Sequence, residues 1–172
     1  MLRAMPHVKP DLSHLKAGGQ AHLVDISDKN VTARRAVASA RVRTSPAVVN
    51  AIQEGGLPKG DVIAVARVAG LLAAKRTPDL VPLCHPVQTT SGSIDFVLEP
   101  ARGQIAIRAA VEARDRTGVE MEAMVAASVA ALTVYDMIKS ADRWATIEGV
   151  RLEEKSGGKS GEVRRPSSAG DE

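Results

Sequence analysis

Two strand-like segments, Ser91 to Leu98 and Gln104 to Glu112, are joined only by Pro100-Ala-Arg-Gly103. Proline and glycine punctuate tight turns, so the two segments are expected to lie antiparallel as a hairpin. Neighbouring parallel strands need a crossover of a dozen or more residues, and none fits here. A wholly parallel α/β sheet is the alternative, and this hairpin speaks against it. The rest of the chain must be arranged around an antiparallel core.

Other elements alternate in type. His22 to Ile26 reads as a short apolar strand, and Arg35 to Thr44 alternates charged with small apolar residues as a half-exposed strand does. Ser45-Pro46 pairs an N-cap with proline at the first helical position, predicting a helix that stops at Gly55-Gly56. After Asp61 nearly every residue to Lys75 is Val, Ile, Ala or Leu, which predicts a helix buried almost all round. Thr117 with Glu120 three positions later forms a capping box for a long helix running to about Ala141. Ala145 to Leu152 closes the pattern as a strand. The order β β α α β β α β is α+β, and predicts a ferredoxin-like antiparallel sheet with helices packed on one face. Residues 1–11 read as a flexible extension, 12–161 as a single domain and 162–172 as a disordered tail.

With 172 residues, 44% of them hydrophobic, the chain is large enough for a real core. One Trp, one Tyr and one Phe leave that core to aliphatic side chains, and leave little with which to stack on single-stranded bases. A net charge of only +3, mixed along the chain, suits a site for a small anion better than a nucleic-acid surface. The lone Cys84 excludes an internal disulfide and is compatible with a reducing cytoplasm. The longest apolar run, Met124 to Lys139, is shorter than a bilayer requires and carries Ser128 and Thr133. No membrane span is expected.

That run ends in the most chemically pointed pair. Asp136 and Lys139 are three residues apart and share one helix face. A carboxylate and an ammonium paired in apolar surroundings can move protons, although an exposed helical ion pair would have the same spacing. Glu122 lies 14 residues upstream of Asp136, about 21 Å away along one helix, so if both act, either the substrate is long or a second subunit completes the site, and an oligomer is the favoured reading. Pro82 and Pro86 stiffen the loop around Leu83, Cys84 and His85. His85 there is suited to acid, base or phosphate contact, or to capping a turn. Cys84 lacks an evident orienting group for a nucleophile. Met121-Glu122 opens the long helix, where a carboxylate serves the helix dipole or the donor edge of a guanine-type base. Lys59 opposes the dipole of the helix that it precedes, which an anion would explain as well as solvent does. Arg34 is a further donor. Gly157-Gly-Lys-Ser-Gly161 is not a nucleotide-triphosphate loop, because Glu153 stands where the first glycine belongs. A basic flap over phosphates, with Lys155 and Lys159, is the reading that is left.

Seven segments together resemble the cyclic pyranopterin monophosphate synthases, the MoaC family. They are Leu23 to Lys29 with Thr32 and Arg34; Lys59-Gly-Asp61; Ala73 to Pro78; Val81 to Pro86; Gly118 to Ala123; Leu132 to Lys139; and Lys155 to Gly161. The likeness spans about Leu12 to Gly161, with Ile138 and Ser140 departing from the common Cys and Ala without removing a polar group. The resemblance implies a cytoplasmic enzyme of molybdenum cofactor biosynthesis. Its implied reaction converts 3′,8-cyclo-7,8-dihydroguanosine 5′-triphosphate into cyclic pyranopterin monophosphate and pyrophosphate. The resemblance makes Asp136 the general acid/base, Lys139 its charged partner, and Lys59 a catalytic or triphosphate-binding group. It places Leu83, Cys84, His85, Met121 and Glu122 around the substrate, with Arg34 and Lys155 on phosphates. It implies no metal site and no cofactor for the chemistry, and allows Mg2+ as counter-ion to the triphosphate. A homohexamer, three dimers with sites at subunit interfaces, is the implied assembly. A non-catalytic nucleotide-binding module and a docking protein for another cofactor enzyme are the competing classes. Both leave the Asp136–Lys139 pair without a role.

Overall fold

The computed structural model describes residues 20–166. The expected flexible stretch 1–11 lies outside them, as do residues 167–172. Strand β1 (Thr32–Arg43) is central and pairs antiparallel with both β3 (Gln104–Asp115) and β4 (Thr146–Ser156). The hairpin partner β2 (Thr89–Glu99) lies outside β3, and the two-residue β5 (Val163–Arg164) lies outside β4. The sheet order is β2-β3-β1-β4-β5, antiparallel throughout. Helices α1 (Pro46–Gln53), α2 (Val62–Ala74), the single turn α3 (Thr77–Leu80) and α4 (Glu120–Ile138) complete it. The first four strands have the connectivity of the ferredoxin-like α+β fold anticipated from the sequence.

The hairpin turns as expected. Pro100–Arg102 is a 3-10 turn, and Gly103 follows at φ 57°, a left-handed conformation that favours glycine. A side chain there would also collide: its Cβ would lie 2.2 Å from the carbonyl oxygen of Thr44. Ser45 caps α1, its hydroxyl accepting from the amide of Val48. Asp61 caps α2 in the same way through the amide of Ala64.

Alternation along the strands builds the core. Ala36, Ala38, Ala40 and Val42 of β1 and Ile105, Ile107, Ala109 and Val111 of β3 face the helices. Opposite them α4 presents Ala123, Ala126, Ala127, Ala130 and Ala131, all without solvent exposure. Such small side chains let α4 lie close to the sheet and to α2 at once. The approach is close at Gly70 of α2, where a Cβ would stand 2.7 Å from the carbonyl oxygen of Ala126.

The structure departs from expectation in several places. His22 to Ile26 is not a strand; only Ala21 makes an isolated bridge, and Val24 instead gives its carbonyl to the His85 ring. The 59–75 helix is not buried all round: Val65, Val68 and Leu72 are 47%, 58% and 52% exposed on one stripe. The capping box is absent. Val119 holds the N-cap position with no side-chain bond, and Glu120 instead reaches Lys155 at 3.0 Å. Order extends into the expected tail through β5, where Arg165 also donates its amide to the carbonyl of Glu153. Finally, α4 at 19 residues is long and apolar enough to cross a bilayer by length and composition, contrary to the sequence reading. Half of that stretch is buried inside the fold, as befits a core helix.

Candidate active site

Candidate residues fall into two groups at opposite ends of α4. At its C-terminal end, Lys139 donates to Asp136 Oδ1 at 2.7 Å. Lys59, in the turn before α2, donates to the main-chain carbonyl of Asp136 at 2.8 Å and lies 3.8 Å from Oδ2. Asp61 fixes this turn by capping α2, and α2 packs along α4, so Lys59 arrives over the last turn of α4. The Lys139 hydrogen bond and charge hold the Asp136 carboxyl below its ordinary range, with Lys59 adding to the effect. The same bond raises Lys139, keeping it charged. The dry surroundings expected for this pair are not found in the isolated protomer: the Asp136 side chain is 60% exposed. The cluster therefore lies open until a substrate or another chain covers it.

At the N-terminal end of α4, Leu83, Cys84, His85, Thr117, Gly118, Glu120, Met121 and Glu122 surround a hollow of about 240 Å3. His85 Nε2 lies 2.7 Å from the carbonyl oxygen of Val24. A carbonyl can only accept, so Nε2 carries the proton and Nδ1 is left for a ligand. Asp25 beside it accepts the amide of Ser27 and shapes this segment. Glu122 is almost wholly buried. Burial pushes its carboxyl up, and the charges of Glu120 and Asp115 push the same way. Burial and the charge of Glu122 also raise the Cys84 thiol, which argues against a thiolate nucleophile.

A second and larger hollow, about 830 Å3, adjoins the first and shares Thr117, Gly118 and Glu120 with it. Arg34 and Lys155 line it. Lys29, Asn30, Arg116 and Lys159 line it too. Of these, Lys29, Asn30 and Arg116 were not singled out from the sequence, because they come from segments far apart in the chain. Lys155 lies on β4 rather than in a flap. Among the described residues no group of three His, Cys, Asp or Glu side chains could hold a metal ion.

The fold and these two groups define an α+β protein with a carboxylate held between two lysines at one end of α4 and a separate polar, cation-lined hollow at the other. Residues 23–158 match the MoaC family. Cyclic pyranopterin monophosphate synthase from Chloroflexus aggregans is 52% identical over 158 residues, covering 92% of this chain and 96% of the relative. The enzymes so named from Nocardioides sp. and Streptomyces avermitilis are 53% and 52% identical over 156 and 160 residues. They cover 90% and 93% of this chain, and 96% and 93% of their own lengths. The chain belongs to the MoaC family.

Proposed function

We propose that this protein is a cyclic pyranopterin monophosphate synthase acting in molybdenum cofactor biosynthesis. It converts 3′,8-cyclo-7,8-dihydroguanosine 5′-triphosphate into cyclic pyranopterin monophosphate with release of pyrophosphate. The observation that carries the reaction type is the Asp136 carboxylate held between Lys139 and Lys59. Asp136 is ionised at neutral pH and can take a proton. The two ammonium groups are donors aimed where negative charge develops as the ring opens and the phosphate closes. Closure of the cyclic phosphate joins a substrate hydroxyl oxygen to the α-phosphorus. It breaks the bond to the β-phosphate, which leaves with the electron pair as pyrophosphate. The hydroxyl proton passes to a base.

The ligand end takes the guanine-derived ring. Leu83, Cys84, His85, Met121 and Glu122 form its pocket, and Glu122 faces the donor edge. Lys155 and the cations around it take the triphosphate, with Mg2+ entering only as counter-ion of the substrate. No cofactor takes part in the chemistry.

One chain separates Glu122 from Asp136 by about 21 Å along α4, so the working site joins two protomers. Between the two ends, Val65, Val68 and Leu72 of α2 and Leu132 of α4 form an exposed apolar face, Leu132 being 56% exposed. A second copy laid antiparallel on this face sets the acid/base end of one chain against the ligand end of the other, and dries the Asp136 cluster. Three such dimers make the homohexamer. The protein works in the cytoplasm, on a small molecule, with neither nucleic acid nor membrane as partner.

The test is pyrophosphate release and pterin formation from the cyclised triphosphate, with Asp136→Asn measured beside the parent. Turnover in the parent that falls at least about a hundredfold in the variant is expected. Turnover in both discards the role of Asp136, and binding without turnover in the parent refutes the reading as an enzyme.

A further inference from the structure

We propose that Asp142 is a positioning residue for the cluster at the C-terminal end of α4, holding the turn after Lys139 against the corner where β1 leads into α1. The inference rests on the reading of Asp136 as the proton-transfer group and deepens it.

The cluster needs an external hold. The Lys139 and Asp136 side chains are both more than half exposed, and an exposed ion pair does little to fix two mobile side chains. Their geometry comes from the backbone beneath them. The amides of Ala141 and Asp142 both return to the carbonyl of Ile138, so the chain curls tightly straight after Lys139. The carbonyl of Asp136, in the same turn, accepts from Lys59. Both lysines therefore depend on how this last turn is held.

Asp142 holds it. One carboxylate oxygen accepts the Thr44 hydroxyl at 2.8 Å, and the other accepts the amide of Trp144 at 3.0 Å. The amides of Ser45 and Ala145 are further donors to the same group. An aspartate that only closes a turn needs the amide two residues on, which here is Trp144. The bond to Thr44, 98 positions away, does something else: it joins the end of α4 to the sheet. Thr44 is itself anchored, its amide donating to the carbonyl of Gly103 in the β2–β3 turn at 2.8 Å. Ser45 starts α1 as its N-cap. Tyr135 adds a second strap, its hydroxyl donating to the carbonyl of Arg143 at 3.2 Å. These donors, the Thr44 hydroxyl foremost, hold the Asp142 carboxyl below its ordinary range. It is ionised at neutral pH and has no proton to give, so its part in the reaction is geometric.

Two variants separate placement from charge. Asp142→Asn keeps the shape but turns an NH2 toward a donor, and Thr44→Val removes the hydroxyl without changing any charge. Asp142→Asn should lower kcat by about ten- to a hundredfold, Thr44→Val by less, with KM little changed in either. In an Asp136→Asn background neither should cost anything further. Deleting a negative charge near Asp136 lowers its pKa and moves the acid limb of kcat down in pH. Letting Lys139 drift away raises that pKa and moves the limb up, and an upward move is expected in both variants. A readout free of turnover is acylation of Lys139 by an amine reagent, followed by mass spectrometry against Lys75 as internal reference. The bond to Asp136 keeps Lys139 protonated, so Thr44→Val should acylate it faster than the parent at one pH. A downward acid limb, additive losses in the double variants, or unchanged Lys139 acylation in Thr44→Val would overturn the positioning role. Should Asp142→Asn not fold, Thr44→Val decides. A parent without turnover would sink the enzyme reading, and the acylation would still settle whether Asp142 places Lys139. Turnover in the parent with unchanged acylation in Thr44→Val would do the reverse.

Discussion

Replacing Gly70 by Ala should destabilise the protein, although alanine is the better helix former. Alanine in a helix interior gains about 1 kcal/mol over glycine. Against this, the new Cβ would stand 2.4 Å from Ile94 Cδ1, 2.7 Å from the carbonyl oxygen of Ala126 and 3.2 Å from Ala130 Cβ. The Ile94 methyl can rotate away, but the Ala126 carbonyl belongs to the backbone of α4. Restoring ordinary contact means moving α2 from α4 by roughly 0.8 Å. Overpacking of this kind costs about 1–3 kcal/mol, and a backbone obstacle puts it at the upper end. The net loss is then about 1–2 kcal/mol, or a Tm lower by roughly 2–8 °C for a domain of this size. Calorimetric unfolding of the two proteins at one protein concentration measures it. Because α2 carries Lys59 over Asp136, turnover should fall as well. An unchanged or higher Tm would refute the close-crossing argument and the reason given for an alanine-built α4.

Gly103→Ala should lose at least about 1–2 kcal/mol, from the left-handed φ alone, read as a lower urea midpoint. Glu122 contributes a pH dependence whose sign is fixed by burial. Its folded value lies above the ordinary 4.5, so its contribution to stability is full below pH 4.5 and is lost as pH rises through the folded value. Glu122→Gln should therefore melt above the parent at neutral pH and level with it below pH 4, while binding substrate poorly; equal melting at neutral pH would mean that the carboxyl is not stressed. Val68→Glu should break the proposed pairing, giving smaller particles in sedimentation velocity and little turnover. Cys84→Ala should keep most of its turnover, since burial holds the thiol protonated.

Local signals in the sequence were reliable where the chemistry is local. Ser45-Pro46 caps α1, and Pro100 to Gly103 turns the hairpin, because each needs only a few neighbouring residues. That Asp136 and Lys139 meet on one helix face is legible from their spacing alone. Long-range competition was not. Glu120 abandons its capping role for Lys155, 35 positions away, which no window around Thr117 reveals. The stripe of Val65, Val68 and Leu72 looks like core in the sequence, because apolar composition does not distinguish an interior from an exposed face. Lys29 and Arg116 meet only because β1 and β3 pair along their full lengths, with Thr32 opposite Asp115.

The 19-residue span of α4 has a genetic consequence. If each working site borrows its acid/base end from one chain and its ligand end from another, two inactive variants can rescue each other. A chain dead at Asp136 mixed with one dead at Glu122 forms hybrids in which one site inherits both lesions and the other inherits neither. Random pairing leaves about a quarter of all sites intact. Two silent alleles in one cell would then restore cofactor synthesis, while either alone would not.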